Sequence, residues 1–148
     1  MTPVRPDDWK TVPMSEIRTS VRLDRAFADD EMNRIRAGLL PEEMEDKWFI
    51  YWDKDVLYFH RSWTGFCIYA VRFHVDRHGY RMIEAEINRD PEQYAQTNDE
   101  FDARLISYLI DVLLLEQGSE YPAEEGAPAP DPLAMWSLVG RATLDETD

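Results

Sequence analysis

The residues with the most chemical potential in this chain are His60-Arg61-Ser62-Trp63-Thr64-Gly65. An arginine, two hydroxyls and the amides of a glycine turn suit an anion nest. Trp63, with Tyr51 or Tyr58, offers a ring face for a planar base or for arginine. Lys47 adds a second cation upstream, and Arg72 a third downstream. Lys47, His60, Arg61, Ser62, Trp63, Thr64 and Gly65 are therefore the candidate ligand-binding residues. The chemistry they suit is recognition of a small phosphorylated, nucleotide-like molecule. The plainer reading has Arg61 pairing with a surface acid, Trp63 plugging the core, and Ser62 and Thr64 serving as ordinary turn residues.

Other chemistries have weaker support. A turn at 62–65 would bring His60 opposite Cys67, the geometry of a nucleophile pair in a small enzyme acting through His60. Nothing at a recognisable spacing supplies the third, orienting group, and a buried thiol beside a strand histidine is the plainer account. His74-x-Asp76-x-His78 would align three metal ligands only if a strand ran straight through them, and Gly79 argues for a turn instead. No metal site, catalytic residue or cofactor is assigned. Glu84 and Glu86 share strand parity and read as solvated edge residues.

Positioning these groups requires a sheet. Residues 19–27 alternate, with Val21, Leu23 and Arg25 on one side, as a short edge strand would. Residues 29–37 read as a short helix capped by Asp29 or Asp30, stopped by Gly38 and Pro41, with Met32 and Ile35 inward. The stretches 47–52 and 56–61 are aromatic-rich strands joined by a turn of about three residues, Asp53-Lys54-Asp55. Residues 66–75 form a third strand, with Cys67, Tyr69, Val71, Phe73 and Val75 on one face. Asp76-Arg77-His78-Gly79 is a hairpin turn. Residues 80–88 follow as a strand with one wet face, Ile83, Ala85 and Ile87 inward and Met82, Glu84, Glu86 and Asn88 outward. Thr97 with Glu100 makes a capping box, with Asn98 the competing cap, for a long helix reaching about Gln117 and stopped by Gly118. Its broad stripe of Phe101, Leu105, Tyr108, Leu109 and Val112 implies heavy burial.

The expected fold is α+β: a four- to five-stranded antiparallel meander sheet packed against one long helix, with a short N-terminal helix. Residues 1–118 make the single domain. Residues 119–132 read as a Pro/Ala/Glu linker. Residues 133–148, with Leu133, Trp136 and Val139 at helical spacing, read as a segment that docks back or engages a partner.

At 148 residues and 44% hydrophobic composition, the chain can bury a sizeable core. No apolar run approaches the ~18 residues needed to span a bilayer, the N-terminus lacks an apolar signal region, and one cysteine cannot form an internal disulfide. A cytoplasmic protein without a membrane role is the expectation. Of the formal net charge of -14, residues 90–118 carry 7 acids against Arg104, and residues 119–148 carry 7 against Arg141. Nucleic acid is repelled by such a half, whereas a basic protein partner is compatible with it.

Glu45-Asp46-Lys47-Trp48-Phe49-Ile50-Tyr51-Trp52, followed by Leu57-Tyr58-Phe59-His60-Arg61-Ser62-Trp63-Thr64-Gly65-Phe66-Cys67-Ile68-Tyr69, resembles a small bacterial domain found alone or beside ADP-ribosylglycohydrolase-type domains. The likeness covers 45 to about 75, and extends to Trp136-Ser137-Leu138-Val139-Gly140-Arg141-Ala142. It implies an ADP-ribose or NAD-linked setting. The hydrolase's acidic metal-binding motifs are absent, so its activity is not implied. The leading expectation is a non-enzymatic binding or accessory module for a small phosphorylated ligand. The alternatives are a protein-interaction or toxin-antidote partner using its acidic surface, and the small enzyme acting through His60.

Overall fold

The structure is a computed structural model that describes residues 3–117; the expected linker, the C-terminal segment and the stop at Gly118 lie outside them. Its elements are β1 (Arg18–Phe27), α1 (Asp29–Ala37), β2 (Trp48–Asp53), β3 (Val56–Arg61), β4 (Cys67–Asp76), β5 (Gly79–Asn88) and α2 (Asp99–Leu109), the last continued by a π-helical turn at Ile110–Leu114. Five antiparallel strands and two helices make an α+β fold. No helix among the described residues is long and apolar enough to cross a membrane.

The sheet is not a simple meander. Strands β2 to β5 follow one another, but β1 returns to pair with β5, giving the order β1-β5-β4-β3-β2. Strand β5 is therefore interior to the sheet rather than at its edge. The β2–β3 loop is also shorter than expected: Asp53 pairs with Val56, leaving Lys54 and Asp55 alone in the turn. Both take positive φ (50° and 66°), the backbone that a two-residue hairpin of right-handed twist demands. The next hairpin forms as the sequence implies, with Asp76 opposite Gly79 and Gly79 at φ 125°.

Two bulges overturn the face assignments drawn from strict alternation. Opposite β3, Tyr69 pairs with Phe59 but Cys67 pairs with His60, so Ile68 is the extra residue. Opposite β4, Glu84 pairs with Arg72 but Met82 with Phe73, so Ile83 is extra. One inserted residue exchanges faces for everything beyond it. Ile68 thus joins Tyr69, Val71 and Phe73 in the core, and Cys67 turns to the opposite face. Met82, expected outward, is buried, while Ile83, expected inward, is half-exposed.

The core lies between one sheet face and the helices. Trp48, Ile50, Leu57, Phe59, Ile68, Tyr69, Val71, Ala85 and Ile87 meet Met32 and Ile35 of α1 and Phe101, Leu105, Ile106 and Leu109 of α2. Trp48 stacks on Tyr69 at 6.0 Å while Phe59 meets both edge-on, contacts worth about 0.5–1.5 kcal/mol each beyond area burial. Arg25 of β1 reaches Ser107 and Asp111 (both 2.6 Å), tying the edge strand to the last helical turns.

Helix α1 has the expected span, but its N-cap is Ala28, whose amide is accepted by Glu31, rather than Asp29 or Asp30. Gly38 then takes φ 74°, and a Cβ there would meet the Ile50 carbonyl oxygen at 2.4 Å; only glycine lets this loop lie against β2. At α2 the competing cap prevails: Asn98 Oδ1 accepts from the Phe101 amide at 3.0 Å, and the Thr97–Glu100 box is not made. The helix closes earlier than expected, with Glu116 at φ 55°.

Candidate functional site

The sheet face away from the helices carries a cavity. Cross-strand register lays its side chains in rows. One reads Tyr51, Tyr58, Ala70, Glu86; the next reads Val56, Arg72, Glu84; a shorter one reads Phe49, His60, Cys67. Ala70 is the small residue in the middle. With Tyr58 on one side and Glu86 on the other, it leaves a hollow of about 400 Å³. Pro13, Met14 and Arg18 complete the lining. The arm that brings them is held at several points: Val4 bonds to the Ala37 carbonyl, Trp9 Nε1 donates to the Ser62 carbonyl (2.7 Å), and the Val12 amide donates to Gly65 (2.8 Å). Trp9 and Val12 are thus pinned to the β3–β4 turn.

The aromatic wall is well defined. Tyr51 stacks on Tyr58 (4.9 Å, 24°) and on His60 (5.5 Å, 16°). Burial, reinforced by Cys67, Tyr58 and Asp53 nearby, pushes the Tyr51 phenol up to about 12. His60 is 3% exposed. Its Nδ1 lies 2.9 Å from the Gly65 carbonyl oxygen, which can only accept, so Nδ1 carries the proton and Nε2 presents a lone pair. That Nε2 is buried without a partner. Burial holds the imidazole below its ordinary value, against the opposing pull of the Gly65 bond.

Cys67 does stand opposite His60, as the turn implied, but the arrangement is not a nucleophile pair. The thiol contacts the Tyr69 carbonyl at 3.7 Å, and burial pushes it up to about 12. It is protonated at neutral pH, and a thiol rather than a thiolate is a poor nucleophile. Glu84 and Glu86 are half-buried cavity residues, not edge residues. Glu86 pairs with Arg18 at 2.7 Å. Tyr51, Tyr58, Ala70 and Arg72 form this site with them. The signal for it was a lone alanine among aromatic and charged residues of one parity.

The turn after β3 gathers most of the sequence-predicted residues elsewhere. Lys47, Arg61, Ser62, Trp63 and Thr64 line a separate groove of about 310 Å³ with Phe66, Glu92 and Gln93; His60 points to the other cavity. The expected nest of open amides is largely closed. The Arg61, Ser62 and Gly65 amides donate to the Phe66, Lys47 and Arg61 carbonyls, and the Phe66 amide to Thr64 Oγ1. The Ser62 hydroxyl is buried and donates to the Asp46 carbonyl at 2.6 Å. Gly65, at φ 80°, packs against the Lys10 backbone. Arg61 lies over Trp48 (4.8 Å). Trp63 is no core plug: it is 58% exposed, its Nε1 donates to Met44 O, and Lys47 Nζ sits 4.4 Å over its ring.

A third cluster had no sequence signal. Asp102 in the first turns of α2 is fully buried. Its Oδ1 accepts from the phenols of Tyr69 (2.6 Å) and Tyr94 (2.5 Å), whose oxygens lie 2.8 Å apart, so that two phenolic protons are shared among three short contacts. Its Oδ2 lies 2.7 Å from Arg89 Nη2, an ion pair between the helix and the end of β5. Burial, then the Tyr94 and Asp102 neighbours, raise the Tyr69 phenol well above its ordinary value. This network fastens helix to sheet.

At the β4–β5 hairpin, Asp76 accepts from His74 Nε2 (3.2 Å) and from the His78 amide (2.8 Å). Among the described residues no group of three His, Cys, Asp or Glu side chains is placed to hold a metal ion. Comparison with protein-family models, with curated proteins and with solved structures finds no match to this chain.

Proposed function

We propose that the protein is a non-enzymatic binding module that holds a small molecule in the cavity over Ala70. The observation that carries this reading is a hollow of about 400 Å³ with a stacked Tyr51–Tyr58 wall and four charged side chains on its rim. That volume falls within the ~300–1,000 Å³ typical of small-molecule sites, which are apolar surfaces with a few placed polar groups. The inert thiol of Cys67 and the committed Nδ1 of His60 favour holding over turnover. The test is a ligand-observed NMR screen of several hundred polar metabolites, followed by amide shift mapping. Hits should perturb Tyr58, Ala70 and Glu86, and Ala70→Trp, which fills the hollow, should abolish them. Hits that perturb other surfaces, or a screen with none, would refute the reading.

A second reading keeps the β3–β4 turn as a site for a phosphorylated, nucleotide-like ligand in an ADP-ribose or NAD-linked setting. Exposed Trp63 under the Lys47 ammonium favours it, since an exposed indole beside a cation is a ready stacking platform. Loss of ADP-ribose binding in Trp63→Ala with the fold intact would support it; binding unchanged in that variant would remove it.

A further inference from the structure

Resting on the cavity reading above, we infer that the ligand held over Ala70 is a zwitterion with a flat apolar body, of the aromatic α-amino-acid kind. The rim carries Arg18, Arg72, Glu84 and Glu86, two cations and two carboxylates. A phosphorylated ligand would find no net attraction there, and Glu84 and Glu86 would repel it. A zwitterion finds a partner for each of its charges.

Placement narrows the choice further. Arg18 and Glu86 satisfy each other at 2.7 Å. Arg72 and Glu84 stand directly opposite on β4 and β5. Cross-strand neighbours have Cβ atoms only ~4.5–5.5 Å apart, yet neither side chain makes an ion pair among the described residues. An α-amino acid carries its ammonium and carboxylate on one carbon, so its head group matches one cation and one carboxylate side by side. Arg72 would take the carboxylate through a two-pronged contact, and Glu84 the ammonium. The same head group then sets its side chain over Ala70 in the adjacent row, against the face of Tyr58. The rings of Tyr51 and Tyr58 are nearly parallel, which favours a flat body beside them.

Calorimetric titration tests this with L-tryptophan, L-tyrosine, tryptamine, indole-3-propionate, AMP and ADP-ribose. The amino acids should bind, and each half-charged analogue should bind at least tenfold more weakly. Arg72→Gln should abolish the preference for tryptophan over tryptamine, and Glu84→Gln the preference for tryptophan over indole-3-propionate. Glu84→Gln is isosteric and Arg72 is an exposed residue; circular dichroism checks the folding of both variants, and Ala70→Trp serves as the blocked control. If AMP or ADP-ribose binds and is blocked by Ala70→Trp while the amino acids do not bind, the ligand class is wrong though the cavity reading stands. Equal affinity for tryptophan, tryptamine and indole-3-propionate, or no binding on this panel, also overturns the inference; the cavity reading is then judged by the wider screen.

Discussion

Replacing Asp102 with alanine should cost about 3 kcal/mol of folding stability, and the structure says where that comes from. The carboxylate is fully buried and anchors three groups: the Tyr69 phenol, the Tyr94 phenol and Arg89. Removing it strands only part of this set. Tyr69 and Tyr94 can still bond each other, which leaves one phenolic proton unmatched, at about 1–3 kcal/mol. Arg89 retains Asp99 at 2.6 Å and the Gln96 carbonyl at 3.0 Å, so its charge is only partly orphaned. The loss therefore falls at the low end of the ~3–5 kcal/mol seen when one partner of a buried pair is deleted. For a domain of this size it lowers the melting temperature by roughly 10 °C. Urea unfolding should show a lower midpoint with an unchanged slope. Asp102→Ala and Tyr69→Phe share a partner and should be non-additive by about 0.5–3 kcal/mol in a double-mutant cycle. A loss under about 1 kcal/mol, or strict additivity, would mean that water reaches this network and that it does not fasten α2 to the sheet.

Other outcomes follow from single groups. His60 is held below the ~6.5 of an unfolded histidine, so the unfolded chain binds its proton first. Its contribution is fully present above pH ~6.5 and is lost as pH falls toward the folded value, at up to about 1.4 kcal/mol per pH unit; in urea titrations His60→Gln should flatten that slope, and an unchanged slope would contradict the assignment. Gly38→Ala forces a side chain into positive φ and against the Ile50 carbonyl, and should lose at least about 1–3 kcal/mol of stability; a neutral result by thermal melting would contradict the close approach. Cys67, buried and protonated, should react with an aromatic disulfide reagent only in denaturant, and rapid labelling of the folded protein would show the thiol is accessible.

The local elements were legible because each has a local cause. Alternation and β-branched or aromatic composition mark β1 through β4, and Gly38 and Gly79 mark where the chain must turn. Face assignment failed at Ile68 and Ile83, because a bulge adds a residue without changing composition, and both isoleucines suit either side of a sheet. That failure blurred the cavity: strict parity put Ile68 beside Ala70 and Cys67 with Tyr69, although the turn alone had already set Cys67 opposite His60. The turn after β3 was correctly seen as a gathering of unusual residues. Its amides and Ser62 proved to be spent within the fold, because buried polar groups must find partners and the nearest were the Asp46, Lys47 and Arg61 carbonyls. Asp102 gave no warning, since its partners Tyr69, Arg89 and Tyr94 come together only when α2 lies on the sheet.

The pairing of β1 with β5 bears on how the chain is born. Phe27 ends the first strand and Asn88 ends its partner, 61 residues later. At ~5–20 residues per second of synthesis, β1 spends several seconds outside the ribosome before β5 exists. Strands β2 to β4 can close hairpin by hairpin during that wait, while β1 must stay soluble and uncommitted. Its sequence suits the delay: Arg18, Arg22, Asp24 and Arg25 punctuate Val21 and Leu23, the charged interruption that keeps an unpaired strand from recruiting another chain.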